Sequence, residues 1–434
     1  MHFTRSTIAL AFFAGALQAQ QPVQNARADS ISRLGASQPL DSARLSRREA
    51  IALALAHNPQ LEIARAQIGE AKARKVEAVS IPDPAVTAFL DQQRGIFRSG
   101  IGGQKNVGVG VLVPFPNKLR LQGKIAQSDV QSAELSYLLQ RQLVAAQTAE
   151  AYDSLLVALK HRADLTDAET LARDFLKRTE ARFNAGTAAK LDVIKATVAV
   201  AQASNQLLTN ALDVQNAGSA LDRLLGRPIG VAVLPTDSLV VPDSLPSLDR
   251  LVAVGLAARP ELASITAQRQ GARAATALAK QFWLPDLTLS VNRDYNLPDP
   301  ALFSTGLAFP LPVFFWQHTR GQIAESSFRE RELAASERDL RAAVTQDLRD
   351  SYATARIALQ QAVFIRDQLL PSARAAYRAA SASYTLGGSS ALEVLDARRT
   401  LLDAESQYAD ALAAANISRY ELERAVSVPL DTIN

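Results

Sequence analysis

The chain has 434 residues, with 47 Lys and Arg against 43 Asp and Glu for a formal charge of +4, and it contains no Cys, one Met and four His. Without cysteine there is no disulfide, no zinc-thiolate site and no thiol for a lipid anchor, while His2, His57, His161 and His318 stand too far apart to read as a metal cluster. The charges are interspersed and the basic cluster Lys118 to Lys124 lacks interleaved aromatics, so neither a nucleic-acid partner nor a metal or other cofactor is expected.

The chain opens on a short basic stretch, Met1 to Arg5, followed by an apolar run from Ile8 to Leu17 and a small residue at Ala19. This is the pattern of a cleaved secretory signal, and the run is too short to span a bilayer. The Gln-, Ser- and Asp-rich stretch after it reads as a linker. Ser46 to Glu49 has the form of a capping box, and Ala50 to Val79 is helical in period with an interruption at Pro59. Val107, Val109, Val111 and Val113 then alternate with small residues as in a strand, with a weaker partner at Val86, Ala88 and Leu90. A second helical pattern runs from Pro116 to about Phe183, through Leu135, Leu138, Val144, Leu155 and Leu159. About 65 helical residues extend roughly 100 Å, too long for a compact globular domain.

The rest of the chain repeats this programme. Arg182-Phe183-Asn184-Ala185-Gly186 ahead of Leu191-Asp192-Val193 falls on Ser383-Tyr384-Thr385-Leu386-Gly387 ahead of Leu392-Glu393-Val394, at an offset of 201 that also carries Pro228 onto Pro429 and Asn58-Pro59 onto Arg259-Pro260. An internal duplication of this length is a whole structural unit. The second copy has alternating segments at Leu287 to Val291 and Phe303 to Phe309, then a long helix from Gly321 to Tyr384 whose apolar residues recur in threes, fours and sevens, with a bend expected at Pro371. Returning helices are expected at Lys190 to Leu225 and Ala391 to Val426. The expected organisation is a signal peptide at 1–19, a linker at 20–45, a first repeat at 46–230 with strands near 85–97 and 105–114, a linker at 231–247, and a second repeat at 248–430 with strands near 286–296 and 302–310.

Strands of about ten residues, apolar on one side and polar or small on the other, have the length and pattern of transmembrane β-strands. A half-buried hairpin of a soluble protein has the same alternation. The aromatics favour the membrane: eight of the chain's 25 lie between Phe282 and Trp316, and Trp283, Phe303, Phe309 and Trp316 flank or end strands, where membrane-interface girdles place them. Four strands cannot close a barrel by themselves, and open edges are not tolerated in lipid, so a membrane reading requires an oligomer with outer membrane lipid around it. Two copies give eight strands and three give twelve.

A duplicated unit of helix, strand pair and long helical hairpin behind a signal peptide resembles the TolC family of outer membrane efflux proteins, from Leu45 to Pro429. The specific points are Val113-Pro114-Phe115-Pro116, Phe309-Pro310-Leu311-Pro312 and the turn Tyr384 to Ala397, with a looser version at Phe183 to Lys195. The resemblance implies a mainly α fold with a small β part: duplicated helical hairpins forming an α-helical barrel, plus four antiparallel transmembrane strands per chain contributing to a trimeric twelve-stranded β-barrel. It implies a homotrimer acting as a passive conduit of a tripartite efflux system, with a periplasmic adaptor and an inner-membrane pump. The stretch Phe115 to Arg120 is similar to members serving pumps of the RND type. The implied periplasmic gate or constriction is Glu393, Asp396 and Tyr384, and the implied adaptor-contacting tips are Gly186, Leu191, Asp192, Gly387 and Leu392. Ser389 departs from members with a basic residue in this turn, which counts against a closing salt bridge there.

Two other functions compete with this one. A structural or adaptor coiled-coil protein of the envelope requires the alternating segments to be soluble hairpins. An enzyme lacks any expected signature, since there is no Gly-x-Ser-x-Gly, no His-Glu-x-x-His and no nucleotide-binding phosphate loop.

Overall fold

The structure is a computed structural model that describes residues 43–90, 105–242, 244–281, 284–295, 303–311 and 315–433. The expected signal peptide, most of the linker after it, the distal parts of the strands expected near 85–97 and 286–296, Trp283 and the side chain of Trp316 lie outside the described residues. The first half runs β1 (Ala43–Leu45), α1 (Arg47–His57), α2 (Pro59–Ala78), β2 (Ala85–Leu90), β3 (Lys105–Val113), α3 (Pro116–Asn184), α4 (Lys190–Leu224) and β4 (Val233–Pro235). The second runs α5 (Leu248–Ala258), α6 (Pro260–Lys280), β5 (Leu287–Asp294), β6 (Phe303–Ala308), α7 (Phe315–Phe364), a π turn (Ile365–Leu369), α8 (Leu370–Thr385), α9 (Ala391–Val426) and a final 3₁₀ turn (Leu430–Thr432).

Local chemistry sets the helix starts. The Ser46 side chain accepts from the Glu49 N–H while the Glu49 carboxylate accepts from the Ser46 N–H at 2.8 Å, a complete capping box. Pro59 and Pro260 open α2 and α6, where the missing N–H costs nothing. The residue before each proline reaches the returning helix of its own repeat: Asn58 Nδ2 donates to the Leu224 carbonyl at 2.9 Å and Arg259 Nε to the Ala425 carbonyl at 2.6 Å. Both donors and both acceptors stand 201 residues apart, so one contact is made twice with different side chains.

Alanine dominates the helix seams. Ala149, Ala196, Ala362 and Ala425 are fully buried, and so small a side chain lets helix axes approach closely. Larger side chains gather where the short helices cross the long ones, around Leu61, Val144, Tyr152 and Leu221 in one half and Leu251, Val344, Leu348 and Leu422 in the other. The long helix of the second half is not broken at Pro371. It passes through the π turn, and Pro371 sits in the first turn of α8. The wider turn absorbs an extra residue and frees the backbone acceptor that the proline cannot serve.

A belt crosses the middle. The strand β1 pairs in parallel with β4, joining the segment before the first repeat to the segment between repeats. Arg47 fastens the belt to the bundle: its N–H donates to Asp237, its guanidinium pairs with the fully buried Asp153 of α3 (Nε to Oδ1 2.9 Å), and it lies over the rings of Tyr152 and Tyr420. Burial pushes the Asp153 carboxyl up, and the Arg47 charge partly offsets that.

At one end the four longer strands form a sheet of order β2-β3-β5-β6, antiparallel throughout. The two hairpins therefore join through β3 and β5, and one edge of β2 and one of β6 carry no strand among the described residues. At the sheet base Asp286, just before β5, accepts from Lys118 Nζ at 2.9 Å and from the Phe115 N–H at 3.0 Å, tying the exit of the first hairpin to the start of the second.

Candidate functional site

The sheet register brings like side chains together. Across the four strands the rows Ala88–Val107–Arg293–Phe303, Val86–Val109–Val291–Thr305 and Val111–Leu289–Leu307 lie on one face. On the opposite face the rows are Thr87–Gly108–Asn292–Ser304 and Ala85–Gly110–Ser290–Gly306. Pleating sends alternate residues to opposite faces, so this register produces one apolar and one small, polar face. The apolar residues Val86, Val109, Leu289, Val291, Phe303 and Leu307 are exposed within the single chain, an apolar surface of the kind that marks a membrane or a partner. Phe303 lies at the end of the sheet far from the helices and Phe309 just beyond the near end, both exposed. Arg293 lies over the Tyr295 and Phe303 rings at the far end. On the polar face Gly108 leaves room for its neighbour, since a Cβ there would stand 1.8 Å from the Asn292 Oδ1 and the Asn292 side chain would have to move. No helix among the described residues is long and apolar enough to cross a membrane.

The two helix tips form the opposite end. Each long helix ends in a left-handed glycine, Gly186 at φ 73° and Gly387 at φ 81°. In the first tip the Thr187 N–H returns to the Arg182 carbonyl and the Gly186 N–H to Phe183; in the second, Gly388 returns to Ser383 and Gly387 to Tyr384. This is a Schellman closure, which satisfies the last carbonyls and requires a residue free of a Cβ penalty at that position. After it Ser390 caps α9, accepting from the Glu393 N–H at 3.3 Å. Glu393 and Asp396 are exposed on the first turns of α9, and Asp192 stands at the matching place on α4. Acidic side chains there are also favoured by the helix dipole. Leu191 and Leu392 are exposed at the tips, as are both turn glycines.

Tyr384 stands apart from the other tip residues because it is buried between the repeats. Its ring lies 5.4 Å from that of Phe175, its hydroxyl 3.4 Å from Thr179 Oγ1, and the Arg182 guanidinium 4.4 Å above its ring centre. Arg182 Nη1 also donates to the Tyr384 carbonyl at 2.8 Å. The clamp therefore joins the end of α3 to the end of α8, one tip to the other. Sequence reasoning missed Phe175, Thr179 and Arg182, although a signal existed: in the repeat Arg182 aligns with Ser383 and Phe183 with Tyr384, so the tips differ at their last helical turn. Arg398, one turn beyond Glu393 and Val394, is buried with its guanidinium donating to the Ala168 carbonyl of α3, and desolvation holds it below the usual range. Among the described residues no group of three or more His, Asp or Glu is placed to hold a metal ion.

Long paired helical hairpins ending in glycine tips, with a two-faced sheet at the other end, define a channel-forming envelope protein. The sequence profile of the outer membrane efflux protein family matches residues 50–227 and 251–427, one stretch in each half, and the chain belongs to that family. It is an outer membrane efflux channel. It is 26% identical over 385 residues to the cobalt-zinc-cadmium resistance protein CzcC of Cupriavidus metallidurans, covering 86% of this chain and 89% of that protein. With the outer membrane protein TolC of Vibrio cholerae it shares 26% identity over 318 residues, 69% of this chain and 71% of that one. Among solved structures it shares the fold of the outer-membrane channel OprN, with TM-score 0.75 at 19% identity over 90% of this chain and 94% of that one, and of CusC, with TM-score 0.75 at 16% identity over 90% and 95%.

Proposed function

We propose that three copies join their four-stranded sheets into a twelve-stranded outer membrane barrel, continued by a tunnel of helices reaching into the periplasm. The observation that carries this reading is the two-faced sheet, with two edges that carry no strand among the described residues. In lipid every backbone group must be paired, so the edges of β2 and β6 have to meet in a closed ring, with the valine and leucine face outward and the Thr, Ser, Asn and Gly face toward the lumen. The conduit is passive: substrate arrives from a pump of the RND type through an adaptor that meets the tips at Gly186, Leu191, Asp192, Gly387 and Leu392. The stretch Phe115 to Arg120 supports that class of pump, and the likeness over most of both chains to the cobalt-zinc-cadmium resistance protein CzcC supports a role in efflux.

At the tips, Glu393 and Asp396 from three copies form acidic rings that favour cations at the entrance. Tyr384 acts from inside the wall: Arg182, Thr179 and Phe175 hold it, and through it the two tips of one chain keep a fixed relative position. The test is the mass of the mature protein in detergent, measured by light scattering with bound detergent subtracted. Three chains per particle is expected, and a single chain that stays soluble without detergent would overturn the barrel.

A further inference from the structure

The charges of the end sheet are sorted by face. Its four described strands carry Lys105 on β3 and Arg293 and Asp294 on β5 as their charged residues, and all of these lie at the end far from the helices. Asp294 stands opposite Asn106, in a row that strand alternation places on the face of Gly108 and Asn292. Arg293 stands between Val107 and Phe303, on the face of the valines and leucines. Lys105 is two residues from Val107 on the same strand, so the register sets it on that apolar face as well. The acid therefore belongs to the polar face and both cations to the apolar one.

Aromatic rings accompany the arginine. The Arg293 guanidinium lies 5.1 Å from the centre of the Tyr295 ring and 5.6 Å from that of Phe303, and both rings are exposed. A guanidinium stacks on a ring through its planar face, which leaves N–H donors along its edge for another partner. With five such donors it can hold a phosphate beside its other contacts. An arginine turned toward lipid is costly at the bilayer midplane and close to neutral at the interface, the level at which tyrosines collect. Toward the helices from Arg293, the exposed side chains of Val107, Val109 and Val291 continue the same face with purely apolar surface. Cations and rings at one end, with an aliphatic face beneath them, match the two parts of an anionic lipid.

We propose that Arg293 binds the phosphate of a phosphomonoester lipid in the outer leaflet, with Lys105 of the neighbouring strand as a second cation and the valine face against the acyl chains. The inference rests on the barrel reading above, which puts the helices in the periplasm, the far end of the sheet at the outer leaflet and the apolar face against lipid. There the guanidinium meets headgroups, and it pairs with phosphate oxygens through parallel, charge-assisted N–H bonds. A zwitterionic headgroup brings its own cation to its phosphate, so a phosphate without such a companion suits two protein cations better. In a closed ring the site occurs once per copy, and lipid held there secures the outer rim of the barrel. Asp294, on the other face, is kept away from the bound anion.

The test is made on the assembled channel. The parent, Arg293→Gln and Arg293→Lys are purified from membranes in detergent, sized by light scattering, and titrated with lipid A, a phosphorylated glycolipid, while the thermal midpoint is followed. The parent is expected to gain stability from lipid A and not from the same lipid stripped of its phosphates. Arg293→Gln should need roughly tenfold more lipid A for the same gain, the scale of a lost hydrogen bond to a charged group. Arg293→Lys should fall between, because a point charge cannot form the paired bonds. Arg399→Gln, which removes an exposed cation near the helix tips, should respond as the parent does. Three chains per particle with an undiminished lipid A response in Arg293→Gln overturns the lipid site and leaves the barrel standing. So does an equal gain from inorganic phosphate, which would make Arg293 an anion site with no need of lipid. If Arg293→Gln does not assemble, the parent decides, since an equal gain from the stripped lipid overturns the site. A single-chain mass removes both the site and the barrel.

Discussion

Gly226 and Ser427 occupy one position in the two repeats and adopt the same left-handed backbone, φ 68° and φ 64°. They differ in their surroundings: a Cβ on Gly226 would come within 2.3 Å of the His57 carbonyl oxygen, while Ser427 keeps its side chain and places the hydroxyl 3.3 Å from Gln142. A left-handed non-glycine residue costs about 1–2 kcal/mol, and the clash with a backbone carbonyl adds to that at Gly226. Gly226→Ala is therefore expected to lower the thermal midpoint of the purified channel by several degrees; an unchanged midpoint would mean that the α1–α2 junction yields freely. At the tips, Arg182→Ala removes both the hydrogen bond to the Tyr384 carbonyl and the cation over its ring. Single-channel conductance in planar bilayers should rise, with Tyr384→Phe giving a smaller rise because the stacking remains. Equal conductance in both variants and the parent would take Arg182 out of the closure.

For the elements, the sheet and the belt make opposite demands. Leu289 and Ser290 are neighbours on β5 that the pleat sends to different faces. A Lys facing lipid near the bilayer midplane costs about 2–4 kcal/mol and one facing the lumen far less. Leu289→Lys should therefore reduce the assembled, heat-modifiable form in membranes, while Ser290→Lys should assemble normally; equal loss from both would contradict the assignment of faces. In the belt, Arg47→Ala leaves the Asp153 carboxylate buried without its cation, a change that typically costs about 3–5 kcal/mol. The sign of the pH effect follows from the direction of the Asp153 shift. A carboxyl whose folded pKa is raised favours folding below its unfolded pKa and loses that contribution as pH rises through the folded value. Losing Arg47 raises the folded value further, so the deficit of Arg47→Ala should be larger at neutral pH than at mildly acidic pH, and Asp153→Asn in the same chain should recover part of it. A deficit that is flat across pH would place the loss in the Asp237 and tyrosine contacts instead.

In the whole molecule, the proposed conduit places its chemistry at the ends and leaves the long middle to packing. In the proposed trimer, Glu393 and Asp396 would contribute six carboxylates to the entrance. Replacing both by Ala is expected to raise conductance and to weaken cation preference, measured from the reversal potential in a salt gradient. Unchanged selectivity would leave these residues as ordinary helix-start acids, a role that Ser390 capping and the helix dipole already explain for Glu393.

Much of this was legible in the sequence because the signals are local or periodic. Strand alternation at Val107 to Val113 and Leu287 to Val291, glycine turns at Gly186 and Gly387, prolines opening α2 and α6, and the capping box at Ser46 each depend on residues a few positions apart. The 201-residue offset needs only a comparison of the chain with itself. The π turn just ahead of Pro371 was not legible, since it depends on how the surrounding helices hold the backbone. Nor was the burial of Tyr384, whose partners Phe175, Thr179 and Arg182 lie about 200 residues away. The sequence by itself determined which segments are helix and which are strand, because hydrogen bonding and side-chain periodicity act over a turn or two. Only the tertiary structure decided that β3 and β5 join the hairpins and that Arg182 clamps Tyr384. Each of these depends on which surfaces of a duplicated chain meet, and two similar repeats leave that choice open until they are packed.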